Sequence, residues 1–204
     1  MKIVLVRHGQ SEANRDRIIQ GHMDFPLSDL GIKQAEEMAE YLAANNYSFH
    51  SVYSSDLSRA KTTADIICKK FQINQIKTDE RLREFNLGIY QGRKNDEMTA
   101  EDNAFLQSCW KDDLKRVPEG ENVKEMKARI KAAFTDILSS NNSNATILIV
   151  GHGGSLFHIL DSTLHIFPKN ADWFENCKLN EIVQKDRTDD WILTVFNGKK
   201  LVTE

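Results

Sequence analysis

Two unbroken apolar runs, Ile3-Val4-Leu5-Val6 and Ile147-Leu148-Ile149-Val150, constrain this chain more than any other feature. A strand with one wet face alternates apolar and polar residues, whereas a short continuous run rich in β-branched residues has to be covered on both faces. The strands predicted there, residues 2–6 and 146–150, therefore belong inside a sheet that carries a layer on each side. Residues 51–55 are a third candidate and 75–78 a weaker fourth. Residues 181–184 and 191–196, joined by the polar segment 185–190, read as an antiparallel pair at one side, giving about six strands.

Helical spacing fills the gaps. After Ser28, a plausible N-cap, Ile32, Ala35, Ala39 and Leu42 recur at three- and four-residue steps, and the helix should end at Asn45-Asn46. Asp56 is expected to cap a second helix with the stripe Ala60, Ala64, Ile67 and Phe71. Asn122 with Glu125 resembles a capping box, and Val123, Met126, Ile130, Phe134 and Ile137 form the buried face behind it. A less regular helical stretch covers 96–113 before the break at Val117-Pro118-Glu119-Gly120. The alternation predicts an α/β fold: a mostly parallel sheet with helices on both faces, in one domain over 1–204. There is no internal repeat and no linker.

Several function classes drop out. The formal charge of -3 offers no basic surplus for nucleic acid or an anionic membrane. Cys68, Cys109 and Cys177 form no CxxC and read as reduced thiols. The first apolar run is too short for a secretory leader, and no stretch approaches a membrane span, so the expected location is cytoplasmic.

In open parallel sheets, ligands sit beyond the carboxyl ends of the strands. Arg7-His8-Gly9 follows the first strand, Asp56-Leu57-Ser58-Arg59 the second, and Gly151-His152-Gly153-Gly154 the one at 146–150. If these strands are neighbours, two arginines and two histidines converge in one crevice. Guanidinium forks match phosphate oxygens through charge-assisted hydrogen bonds, and Arg59 falls in a first helical turn, which also favours an anion. One neutral imidazole could attack phosphorus while the other donates to the equatorial oxygens, with the arginines supplying the positive charge and no metal called for. A leaving alkoxide also needs a proton, and Glu84 is the candidate acid, with Asp79, Glu80 and Glu97 as nearby rivals. A His/His metal site lacks an HxH or HExxH pattern, and a serine nucleophile lacks a GxSxG elbow. His22, His50, His158 and His165 read as surface or packing residues, although His22 lies in a loop able to close over the crevice.

Arg7-His8-Gly9 resembles the signature of the histidine phosphatase superfamily, the phosphoglycerate mutase-like proteins. Further matches follow in the family's order: Asn14, Gln20-Gly21, Asp24, Pro26-Leu27-Ser28, Gly31, Gln34-Ala35, Ser54-Ser55-Asp56-Leu57, Arg59-Ala60, Thr63-Ala64, Leu82-Arg83-Glu84, Gly88, Gly92, Pro118, Gly120-Glu121 and Gly151-His152-Gly153. The resemblance implies a three-layer α/β/α sandwich, in agreement with the pattern above. It also implies His8 as the phosphorylated nucleophile, Arg7, Arg59 and His152 as the phosphate pocket, and Glu84 as proton donor. Asn14 resembles a further phosphate contact, and Gln20, Gly21 and Gly153 resemble ligand contacts.

Departures separate the branches. Cofactor-dependent mutases of this family carry Arg-His-Tyr after the acid and a longer basic insertion, whereas this chain has Phe85-Asn86-Leu87 and a short segment in which Lys94, Lys111, Lys115 and Arg116 are only loosely comparable. A phosphatase of small phosphorylated metabolites is therefore favoured, needing no cofactor. The alternatives are a mutase primed by 2,3-bisphosphoglycerate and a non-catalytic module that binds a phosphorylated ligand. Phe85, Leu87, Ile89, Tyr90, Phe105 and Trp110 either wall the mouth with apolar surface or belong to the core. A homodimer is compatible with this class.

Overall fold

The computed structural model describes residues 1–169, 172–185 and 190–201. In chain order the elements are β1 (Lys2–Arg7), α1 (Glu12–Arg15), α2 (Asp29–Ala44), β2 (Ser51–Ser54), α3 (Ser58–Lys70), β3 (Lys77–Thr78), α4 (Ala100–Lys111), α5 (Val123–Ser139), β4 (Thr146–Gly151), α6 (Gly153–His158), β5 (Leu179–Gln184), β6 (Trp191–Phe196) and β7 (Lys199–Lys200). The seven strands form one sheet in the order β3-β2-β4-β1-β5-β6-β7. β4 pairs in parallel with β1 on one side and with β2 on the other, while β5 and β6 are antiparallel.

The unbroken apolar runs divide their side chains between two cores. Ile3, Leu5, Ile147 and Ile149 pack with Met126, Ile130 and Phe134 of α5 and with Leu156 of α6. Val4, Val6, Leu148 and Val150 face the other way, onto Ala35, Met38 and Leu42 of α2 and Ala60, Ala64 and Ile67 of α3. Burying each such Val, Leu or Ile is worth roughly 1.5–3 kcal/mol, and both layers are needed to bury all eight strand residues. The result is a three-layer α/β/α sandwich with a mostly parallel centre.

Some local expectations are corrected. The sheet has seven strands rather than about six, because the polar pair Lys199–Lys200 adds a short edge strand; of the strand predicted over 75–78 only Lys77–Thr78 forms. Ser28 caps α2, but Ile32 is exposed; Gly31 takes the inward place because its backbone lies against Gln10, whose carbonyl oxygen would stand 2.0 Å from a Cβ. Asp56 does not cap α3: Arg83 holds both its carboxylate oxygens, a charge-assisted bidentate contact stronger than a cap. The helical stretch at 96–113 splits into a 3-10 turn, Asn95–Glu97, and α4, capped by Thr99. Of the predicted connection 185–190, residues 186–189 lie outside the described residues. All three cysteines are buried and unbridged. No helix among the described residues is long and apolar enough to cross a membrane.

Candidate active site

Three strand ends build the site. Arg7 is the last residue of β1 and His8 follows it; Arg59 stands in the first turn of α3, just beyond β2; His152 is the N-cap between β4 and α6. Because β4 lies between β1 and β2, their loops leave the same sheet edge side by side. The His8 and His152 ring centroids are 5.1 Å apart, with the planes at 61°.

His8 is held on every side. Its N–H donates to Gly151 O at 3.0 Å, its carbonyl accepts from Asn176 Nδ2 at 2.6 Å, and its Nδ1 lies 2.7 Å from Gly9 O. A carbonyl can only accept, so Nδ1 carries the proton and Nε2 keeps a free lone pair. Burial, then the charges of Arg59 and Arg7, hold the His8 pKa well below the usual histidine range, so the ring is neutral at pH 7. The loop behind it is pinned by Thr63, whose Oγ1 accepts from Gly9 N–H at 3.1 Å and donates to Arg59 O at 2.7 Å.

The two guanidiniums are oriented by carbonyls and keep donors free. Arg59, 1 % exposed, donates through Nη2 to Gly21 O at 2.8 Å and through Nη1 to Met23 O at 3.1 Å. Burial lowers its pKa to about 10, against the raising effect of Glu84 and Asp24, so it stays cationic at neutral pH. Arg7 donates through Nη1 to Phe174 O at 2.6 Å. Arg7 Nε, Arg59 Nε and both ring nitrogens of His152 are buried with no partner among the described residues. Leaving such a group unpaired costs on the order of 1–3 kcal/mol, and the two guanidinium N–H groups with the one ring N–H of His152 are three such donors, suited to a ligand rich in acceptor oxygens. His152 is neutral too, its pKa lowered by burial and then by Arg59 and His8.

Glu84 is half-buried after the 3-10 turn Glu80–Leu82, and its charge acts on both Arg7 and Arg59. Its Oε1 accepts from Phe85 N–H at 2.8 Å and its Oε2 from Gly154 N–H at 3.1 Å, which sets the carboxyl group beside His152. Asp79 is instead bound to Arg81, and Glu97 accepts from Lys94 N–H.

The remaining predicted residues lie around the cluster. Asn14 Oδ1 accepts from Ser11 N–H at 3.2 Å, a local capping contact. Gln20 Oε1 accepts from Ser11 Oγ at 2.7 Å. Gly21, at φ +53°, turns its carbonyl to Arg59. Gly153 begins α6 under the exposed indole of Trp173, where a Cβ would stand 2.4 Å from Nε1. The predicted apolar wall divides: Phe85 and Tyr90 are core, while Ile89 and Trp110 are exposed, Trp110 lying against Phe85 with ring centroids 4.7 Å apart. His22 is not a plain surface residue; its Nε2 donates to Glu84 O at 2.7 Å.

Sequence reasoning overlooked Asn176, Trp173 and Arg129. Arg129 abuts the apolar stripe of α5, a signal that was available; Asn176 and Trp173 carry no local pattern.

A family model described as histidine phosphatase superfamily (branch 1) matches residues 3–197. A protein of Yersinia pestis (strain Pestoides F) named "Probable phosphoglycerate mutase GpmB" is 34% identical over 186 residues, covering 89% of this chain and 84% of that protein. Among solved structures, the alpha-ribazole phosphatase from Shigella flexneri is similar with a TM-score of 0.80 and 26% identity, covering 100% of both chains. A mycobacterial glucosyl-3-phosphoglycerate phosphatase solved with VO3 is similar with a TM-score of 0.80 and 27% identity, covering 97% of this chain and 99% of that one.

Proposed function

The chain belongs to branch 1 of the histidine phosphatase superfamily, and on that premise we propose that it hydrolyses small phosphomonoesters through a phosphohistidine on His8. The observation that carries the reading is the set of unpaired buried nitrogens on Arg7, Arg59 and His152, facing a neutral His8 whose Nε2 lone pair is free. The Nε2 lone pair attacks phosphorus and the P–O bond to the leaving group breaks in line. The leaving oxygen takes the proton of the Glu84 carboxylic acid. Water then gives a proton to the Glu84 carboxylate and its oxygen to phosphorus; the P–N bond breaks, releasing phosphate and restoring both groups. Arg7 and Arg59 hold the oxygens whose charge changes in each step, and His152 donates one more hydrogen bond. In this proposal the guanidiniums supply the positive charge, and no metal or cofactor takes part.

A phosphoglycerate mutase is the second reading, favoured by the name of the Yersinia relative. It requires a second cationic grip for the other acidic group of glycerate phosphate or its bisphosphate primer. Among the described residues, Arg83 is paired with Asp56, Arg93 with Asp102 and Arg129 with Glu121, so these arginines do not fit that task. This favours hydrolysis, as do the phosphatase names of the structural neighbours. A binding module without chemistry would have no use for the free lone pair on His8.

The test is turnover of p-nitrophenyl phosphate and of 3-phosphoglycerate, with and without primer, by wild type and His8→Ala. Hydrolysis that persists in EDTA and disappears in His8→Ala is expected. Primer-dependent conversion of 3-phosphoglycerate would establish the mutase instead, and no turnover of any ester would leave the binding module.

A further inference from the structure

Arg129 of α5 differs from the two arginines beside His8 in having no free donor. Its Nη1 donates to Arg81 O at 2.8 Å and Arg83 O at 2.7 Å; its Nη2 donates to Glu84 O at 2.7 Å and Glu121 Oε1 at 2.6 Å; its Nε donates to Glu121 Oε2 at 2.9 Å. All five N–H groups are engaged, three of them by carbonyls of the segment that carries Glu84. Glu121 completes the clamp by accepting the N–H of Asn86 at 2.8 Å. His22 Nε2, 3.9 Å from Glu121 Oε1, donates to the same Glu84 carbonyl at 2.7 Å.

This segment has little order of its own, because the 3-10 turn Glu80–Leu82 stops before Glu84. Its position is therefore set by what grips its backbone. α5 packs its apolar stripe on the sheet that also carries His8 and His152, so Arg129 refers the acid to the same rigid frame as the nucleophile. Proton delivery to a leaving oxygen depends steeply on such placement: an error of about 1 Å can cost roughly 100-fold.

We propose that Arg129, braced by Glu121, is a positioning residue for proton transfer from Glu84, and thereby decides how poor a leaving group the protein can expel. The proposal rests on the phosphatase reading above. It adds that the clamp matters in proportion to the leaving oxygen's need for a proton. Nitrophenolates depart without one, whereas phenolate and alkoxides depart with one.

The experiment compares kcat/KM for p-nitrophenyl, phenyl and glycerol phosphates in wild type, Glu84→Gln, Arg129→Gln, Arg129→Lys and His22→Leu. In the Arg129 variants the loss on glycerol phosphate should exceed the loss on the p-nitrophenyl ester by about 10- to 100-fold, tilting the series as Glu84→Gln does. His22→Leu removes one of the two donors to the Glu84 carbonyl and should give a smaller tilt of the same sign, which keeps the test decisive if the Arg129 variants do not fold. An equal loss on all esters in the Arg129 and His22 variants, with a tilt in Glu84→Gln, overturns the positioning role alone. A level series in Glu84→Gln overturns the acid assignment beneath it.

Discussion

Gly154→Ala isolates the position of the acid without altering any ionisable group. A Cβ on Gly154 would stand 2.2 Å from Glu84 Oε1, where ordinary contact begins at 3.4 Å, so the carboxylate has to retreat by about 1.2 Å. The obstacle is the end of a flexible side chain, with Met126 Cε next at 3.1 Å, so the fold can absorb the methyl group. Alanine also favours the helix over glycine by up to about 1 kcal/mol, which offsets part of the strain. A displacement of about 1 Å should lower the rate for a poor leaving group roughly 100-fold, equivalent to about 2.7 kcal/mol of transition-state stabilisation. Steady-state hydrolysis of glycerol phosphate, with p-nitrophenyl phosphate as the reference and thermal melting as a check on folding, measures this. Unchanged turnover of glycerol phosphate in a folded variant, or the same loss on both esters, would refute the reasoning from geometry to proton transfer.

Other consequences are open to simpler measurements. Orthovanadate should raise the melting temperature of the wild type by roughly 5–10 °C at 100 times Kd, and by much less in Arg59→Met, where an oriented guanidinium is gone; equal shifts in a thermal-shift assay would contradict the anion site. Thr63→Val leaves the buried Gly9 N–H without its acceptor and should cost about 2 kcal/mol in urea unfolding, with a lower kcat from the loosened His8 loop. His158 is buried among Lys127, Asp161, Glu84 and Arg129, and burial holds its pKa down at about 4. The unfolded chain, with histidine near its ordinary value, binds the extra proton first, so stability is full above about pH 6.5 and falls toward pH 4, by up to roughly 3 kcal/mol. His158→Gln should flatten that part of the stability–pH curve relative to wild type, and superimposable curves would exclude the residue as the cause. At Gly88, with φ +47° and a Cβ position 1.9 Å from Pro118 O, alanine meets backbone on both counts and should destabilise the protein, as chemical denaturation will register.

The central strands and the principal helices were legible because their signals are local. Ser28 and Asn122 cap the helices they precede, and the stripe from Val123 to Ile137 packs as its spacing requires. The errors arose where a distant group competed for a residue. Asp56 left its helix for Arg83, Gly31 displaced Ile32 because the Gln10 backbone lies against it, and the edge pair β7 is a strand only because β6 offers hydrogen bonds. The same holds in the site. His8, Arg59 and His152 could be picked out because each follows a recognisable strand, whereas the contacts of Arg129, on α5, and of His22 with the Glu84 carbonyl join segments far apart in the chain.

The order of residues alone determined that both faces of the sheet would be covered and that three strand ends would carry histidine and arginine, since apolar continuity and residue type are properties of short segments. The tertiary structure decided which imidazole nitrogen stays free, which guanidinium donors remain unpaired and what holds the acid. Those are angular properties of hydrogen bonds between segments far apart in the chain, and they exist only once β4 lies between β1 and β2.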